Sequence, residues 1–321
     1  LPGSGGPLAA SDGLVVAAAS AKLRGDPAAL VVALDAATGK ARWKLAIDST
    51  AWSVVTSIAS ISGGVVVGGS FQGTLRAGDR VVASAGQTDG FVARLTDAGA
   101  VVWLERFGGP GADAIQGVAV AGDTIAIAGT YSAGADLLGE PLPSIDEDAP
   151  YADAFAAELN GKGARLWNAT LGGKLDDAVA GVAIDTAGRV VIAATARGDV
   201  HVGENALTAR SPSQALVAWL TRDGSTTMLL DADGASAIAA ARDHVVVAGY
   251  TATDAVLVAL DPGREIARVS IAGPGREEVP ALATIPGGFI AALAHTAAVM
   301  IDGTAIPAPA DPMAGGALVV R

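Results

Sequence analysis

Residues 89–109 read DGFVARLTDAGAVVWLERFGG, and residues 153–173 read DAFAAELNGKGARLWNATLGG. The two stretches have the same length and the same apolar positions, and in each a Trp near the end precedes a Gly-Gly pair. Each begins with an alternating apolar run, turns through TDAGA or NGKGA, and runs apolar again. Apolar runs rich in Val, Ala and aromatics around a Gly-bearing turn read as a β-hairpin. A chain that writes one hairpin twice is built of repeats.

The first half of the hairpin recurs as ALVVALD at 29–35, ALVAWLT at 215–221, AVLVALD at 255–261 and ALVVR at 317–321. Leu34, Leu95, Leu159, Leu220 and Leu260 mark a shared register. The second half recurs as ARWKLAI, TTMLLDA and IARVSIA, with Trp43, Trp103 and Trp167 at or beside one place. Two further short apolar segments precede each hairpin, as in QGVAVAGDTIAIAG at 116–129 and AIAAARDHVVVAG at 237–249. Each unit is therefore four strands, A to D. Four-stranded units repeating every 40 to 60 residues or so predict a β-propeller. A parallel β-helix would show much shorter repeats without hairpin turns.

Six copies of strands A, B and C predict an all-β, six-bladed β-propeller of four-stranded antiparallel blades. It forms one domain over residues 1–321, with units near 1–48, 49–109, 110–173, 174–234, 235–273 and 274–321. The last blade is expected to be incomplete, because ALVVR is a strand C with no strand D after it. LPGSGGPLAAS at the other end matches a D–A loop and strand A, with Leu1 placed like Leu171. The expectation is a polypeptide that extends before Leu1 and supplies the missing strand. Between strands B and C, inserts at 72–88, 132–152, 198–213 and 297–315 read as extra hairpins. They are expected on one rim, where loop variation carries binding.

DGFVARLTDAGAVVW, LGGKLDDAVAGVAIDTAGRVVIAAT and DAFAAELNGKGARLW resemble the bacterial SBBP-type β-propeller repeat, and residues 52–321 follow its pattern. The Ala-heavy wording is similar to exported proteins of myxobacteria and their relatives. The resemblance implies the fold and carries no common catalytic residues. Unit one differs: VVALDAATGKARWK at 31–44 resembles the repeat of PQQ-type propellers, which include quinoprotein dehydrogenases and an outer-membrane-assembly lipoprotein. Such quinoenzymes have eight blades, a calcium site and often a vicinal disulfide. Six units and no Cys depart from that pattern.

Composition removes several classes. A net charge of −12 repels phosphate backbones and anionic lipid surfaces, so no nucleic-acid partner is expected. No apolar run is long enough to span a membrane as a helix. The absence of cysteine excludes disulfides, thiolate catalysis and Cys-based zinc sites.

One column of polar residues stands just before strand A: Ser53, Asp113, Asp177, Asp233 and Glu277. Strand A lines the channel of a propeller, so these carboxylates could gather at its mouth and hold a hard cation. The competing reading is that each Asp accepts hydrogen bonds from its own loop. Trp52 stands beside Ser53 and is the one aromatic expected to touch a ligand. SIDEDAPYAD at 144–153 offers Asp146, Asp148 and Asp153 as metal ligands, without the spacing of a preformed calcium loop. His201, His244 and His295 fall in different units and are not expected to converge. The repeated Trp of strand D reads as packing between neighbouring blades.

No catalytic residue is assigned, and Ca²⁺ is the one cofactor these clusters admit. The leading expectation is a non-enzymatic binding or scaffold propeller outside the cytoplasm, periplasmic, outer-membrane-associated or secreted. It would engage a protein or glycan of the cell envelope through the B–C inserts and the channel mouth, with Trp52, Asp113, Asp177 and Asp233 as ligand contacts. The alternative is a polysaccharide-acting hydrolase or lyase, or a degenerate quinoprotein, with its site at that mouth.

Overall fold

The computed structural model describes residues 6–23, 26–143, 152–241, 244–274, 277–285, 288–295, 297–301, 304–307 and 316–320. Every regular element among them is a β-strand. No helix is long and apolar enough to cross a membrane. The chain divides into two compact units, Leu1–Thr170 and Leu171–Arg321.

The first unit opens with β1 (Leu8–Ser11), β2 (Leu14–Leu23), β3 (Asp26–Asp35) and β4 (Ala41–Ser49). It continues with β5 (Trp52–Ile61), β6 (Gly64–Gln72), β7 (Thr74–Ala77), β8 (Arg80–Ala83), β9 (Asp89–Thr96) and β10 (Val101–Gly108). Then come β11 (Ala114–Ala121), β12 (Thr124–Tyr131), β13 (Asp136–Leu137), β14 (Asp153–Leu159) and β15 (Arg165–Gly173), whose last residues open the second unit. That unit holds β16 (Ala178–Ile184), β17 (Val190–Ala196), β18 (Asp199–Val202), β19 (Asn205–Thr208), β20 (Gln214–Thr221) and β21 (Gly224–Leu229). It ends with β22 (Gly234–Ala240), β23 (Val245–Tyr250), β24 (Ala255–Asp261), β25 (Arg264–Ala272), β26 (Glu278–Ile285), β27 (Gly288–Ala294), β28 (Val299–Ile301), β29 (Thr304–Ile306) and β30 (Gly316–Val320).

Six sheets carry the expected meander. The first five run A to D as β1-β2-β3-β4, β5-β6-β9-β10, β11-β12-β14-β15, β16-β17-β20-β21 and β22-β23-β24-β25. The sixth, β26-β27-β30, has three strands among the described residues. B strands of the inner sheets are buried on both faces: β6 is buried from Gly64 to Phe71 and β17 throughout, whereas β27 alternates. That double burial explains why the core is written in Val and Ala. Phe71 and Phe91 meet edge-on at 6.2 Å within one sheet, and Phe107 of β10 meets Phe155 of the next sheet's β14 at 4.4 Å, so neighbouring sheets share the core.

The A strands other than β1 share a bulge. Register shifts fall at Val55/Ser57, Ile115/Gly117, Val179/Gly181, Ala235/Ala237 and Glu278/Ala281. A bulge re-aims the side chain at the extra residue. Thr56 Oγ1 donates to the Ile115 carbonyl at 2.6 Å, and Ser236 Oγ to the Val279 carbonyl at 2.7 Å. These are one bond written twice, each stitching an A strand to the next A strand.

Three inserts form the hairpins read from the sequence, β7–β8, β18–β19 and β28–β29, and the inserts pair along the outer edge of the preceding sheet. The β7–β8 hairpin pairs with β4 through Ile47↔Ala77, Asp48↔Arg76 and Ser49↔Leu75. β13 pairs with β10, β18 with the end of β15, and β28 with β25. The physical reason is the open row of backbone groups on each D strand, which needs partners. The link between β23 and β24 is only the Thr251–Asp254 turn, so the sheet ending in β21 receives no added strand.

Candidate functional site

The carboxylates of the column hold their repeat position before strand A, and those of Asp113 and Asp177 serve the fold. Asp113, directly before β11, is 1% exposed. Its Oδ2 accepts the Gly109 N–H at 2.7 Å, and its Oδ1 accepts the Ser132 N–H at 2.7 Å. Burial pushes this carboxyl up, against the hydrogen bonds from Ser132 and Gly109; the charge of Asp89 adds to the rise. Asp177 Oδ1 accepts the Arg197 N–H at 3.0 Å. Ser132 and Arg197 each follow the last residue of a B strand, so the two bonds are equivalent. Asp233 is half-buried, and its N–H donates to the Tyr250 carbonyl at 2.7 Å.

Ser53 lies inside β5, not before it. Its hydroxyl bridges the C–D ladder, accepting from Ala29 N–H at 3.2 Å and donating to the Ile47 carbonyl at 2.6 Å. Glu277 is buried next to β26. Trp52 is the first residue of β5, opposite Gln72 and half-buried, rather than a loop residue.

The Gly-Gly after the strand-D Trp follows from this arrangement. A Cβ on Gly108 would sit 2.8 Å from both Asp89 Oδ1 and Asp113 Oδ2. The Trp itself packs between blades, as read from the sequence. Trp43 Nε1 donates to the Asp97 carbonyl at 2.7 Å, and Trp103 Nε1 to the Gly161 carbonyl at 3.2 Å. Each indole lies against the glycine of the next hairpin turn, Gly99 or Gly163. Trp167 instead donates to Glu158 Oε2 within its own hairpin at 2.8 Å.

Asp153 opens β14 opposite Tyr131 and is buried. Asp146 and Asp148 lie outside the described residues. His201 sits in β18, His244 stacks near Phe289 at 5.6 Å, and His295 Nδ1 lies 2.8 Å from the Ala297 carbonyl. Among the described residues, no group of three or more His, Asp or Glu could hold a metal ion.

A groove of about 700 Å³ opens in the first unit. Its walls come from β8 (Val82), β10 (Glu105, Arg106), the turn after β13 (Asp136 to Glu140) and the hairpin turn before β15 (Lys162 to Arg165). Two of those walls, β8 and the β13 turn, are B–C inserts. The β13 turn closes through Leu137 N–H to the Glu140 carbonyl at 2.8 Å. Leu138 and Gly139 both take positive φ, 56° and 93°. Such two-residue turns normally place Asn or Gly at the first position, because a side chain there costs about 1–2 kcal/mol. Leu138 bears that strain while packing on the cluster that contains Phe107 and Phe155.

Sequence reasoning missed this groove, yet a signal was present. Counting from the aligned Trp, Glu105 and Arg106 stand where the sister strands carry Leu45 and Ala46, or Ala169 and Thr170. Charge replaces small or apolar side chains where β10 lines the groove.

A family model described as outer membrane protein assembly factor BamB matches residues 2–135. No curated protein matches the chain. Among solved structures, the chain is similar to dihydro-heme d1 dehydrogenase NirN in complex with DHE, at 12% identity and a TM-score of 0.49. That match covers 92% of this chain and 53% of the other, so the chain spans about half the length of that relative. The β-propeller domain of the Trilobed protease from Pyrococcus furiosus is similar at 10% identity and a TM-score of 0.41, over 98% and 99% of the two chains. A polysaccharide lyase of family PL25, an ulvan lyase, is similar at 13% identity and a TM-score of 0.38, over 91% of each. Likenesses this distant carry no statement about activity. The repeated A-to-D meander supports a β-propeller, and the match over 2–135 gives its first part a resemblance to PQQ-type repeats.

Proposed function

We propose that the chain is a non-enzymatic, six-bladed propeller of the SBBP and PQQ kind that binds a polypeptide outside the cytoplasm. The observation that carries the reading is the groove of about 700 Å³ whose walls are two B–C inserts and a D strand with charges foreign to its sister strands. The lining contains no aromatic side chain on which a sugar ring could stack, which favours a polypeptide over a glycan. The envelope location draws on the partial match to an outer membrane assembly factor. The carboxylates expected at a channel mouth are supported less as ligand contacts, since Asp113 and Asp177 already serve backbone N–H groups.

Photo-crosslinking tests this. A crosslinker at Val82 or Lys162, both on the groove, should capture the same polypeptide from the envelope or secreted fraction of the source organism. One at Lys40, which does not line the groove, should not. Capture of glycan alone, or turnover of a polysaccharide by the purified chain, would sink the reading and favour a hydrolase or lyase.

A further inference from the structure

The groove's polar groups are unequally committed. Arg106 Nη1 is held by the fully buried carboxylate of Asp89 at 2.8 Å and by the Gly108 carbonyl at 3.0 Å. Arg165 pairs with Glu140 through Nη2 and donates to Asn168 Oδ1 through Nη1 at 2.6 Å. Asp136 Oδ1 accepts the Gly139 N–H at 2.8 Å. Glu105 is different. It is half-buried, and among the described residues neither a hydrogen bond nor an ion pair reaches its carboxylate. Burial pushes its carboxyl up, opposed by the charge of Arg80. A half-buried carboxylate that accepts no hydrogen bond gains when a donor arrives.

We propose that the groove receives a basic side chain, Lys or Arg, from an extended polypeptide segment, with Glu105 as its acceptor. The inference rests on the polypeptide-binding reading above and adds the chemistry of the bound residue. Val82 and Leu138 are the large aliphatic groups in the lining, suited to flank the methylene stem of a long basic side chain. An acidic side chain would meet Glu105, Asp136 and Glu140, while Arg106 and Arg165 already pair with Asp89 and Glu140, and the Arg165 Nε that has no hydrogen-bond partner is buried out of reach. Lys162 is exposed at the rim and free to swing outward. The net charge of −12 draws cationic segments from a distance.

The test is fluorescence polarisation of the whole chain with four labelled heptapeptides, Gly-Ser-Thr-X-Thr-Ser-Gly, in which X is Lys, Arg, Gln or Glu. The Lys and Arg peptides should bind at least tenfold more tightly than the other two. Glu105→Gln should weaken the Lys peptide about tenfold while leaving Tm unchanged or higher, because it removes a desolvated charge; a bracing role would lower Tm instead. The charged groups that line the groove with Glu105 are Arg106, Asp136, Glu140, Lys162 and Arg165, and the charge of Arg80 also acts on it. Binding of the Lys peptide should fade as pH falls through the raised Glu105 value, with Glu105→Gln showing a flatter profile. Equal binding of the Gln peptide, no binding of any peptide, or full binding to Glu105→Gln would overturn the proposal. If the Gln peptide binds and a Val82 crosslink to it forms, the polypeptide groove stands and only the basic preference falls.

Discussion

Gly99 and Gly122 share left-handed backbone, with φ of 79° and 61°, but not the same surroundings. Nothing lies within 4 Å of a Cβ built on Gly122, whereas one on Gly99 meets the Trp43 ring at 2.7 Å. Gly122→Ala should therefore cost only the backbone term, about 1–2 kcal/mol. Gly99→Ala adds overpacking and pushes Trp43 off its bond to Asp97, for about 2–5 kcal/mol in all. Urea unfolding followed by Trp fluorescence separates them, and equal losses would mean that the indole gives way freely. Asp113 tests the other repeated position. Asp113→Ala leaves the Gly109 and Ser132 N–H groups without their acceptor, a loss of at least about 2 kcal/mol. Because these oxygens already serve the backbone, millimolar Ca²⁺ should leave the Tm of the unaltered chain in place; a clear rise would restore the metal reading.

At the scale of elements, sheet width among the described residues follows whether an insert supplies strands. Sheets ending in β4, β15 and β25 gain two strands, the one ending in β10 gains β13, and the one ending in β21 gains none. Replacing the β7–β8 hairpin by a link as short as Thr251–Asp254 should leave a four-stranded first sheet. Amides at Ile47–Ser49 should then exchange faster, and the chain should self-associate more through the bared edge of β4. Unchanged exchange would show that the hairpin does not protect that edge. The A-to-D strands were legible because local alternation and glycine turns specify them, and repetition confirmed each reading. The destination of the inserts was not legible, since β7 pairs with a strand written before its own unit began, and nothing local names that partner. The groove stayed hidden for a related reason. Matching repeats directs the eye to what recurs, such as Trp43 and Trp103, while Glu105 and Arg106 are where the copies disagree.

At the scale of the whole molecule, two kinds of charge act on a basic partner, and rates can tell them apart. The net −12 acts at long range and is screened by salt, with a Debye length of about 30 Å at 0.01 M and about 10 Å at 0.1 M. Glu105 acts at contact, half-buried and little screened. Long-range charge steers encounter, whereas a desolvated pair governs escape. For the Lys heptapeptide, raising salt across that range should lower the association rate several-fold and change the dissociation rate little. Glu105→Gln removes one charge of many, so association should hardly change, while dissociation should quicken by most of the tenfold affinity loss. Stopped-flow mixing reads both constants. If the substitution acted only on association, Glu105 would be one more member of the general acidic field, and the groove would lose its claim to a specific acceptor.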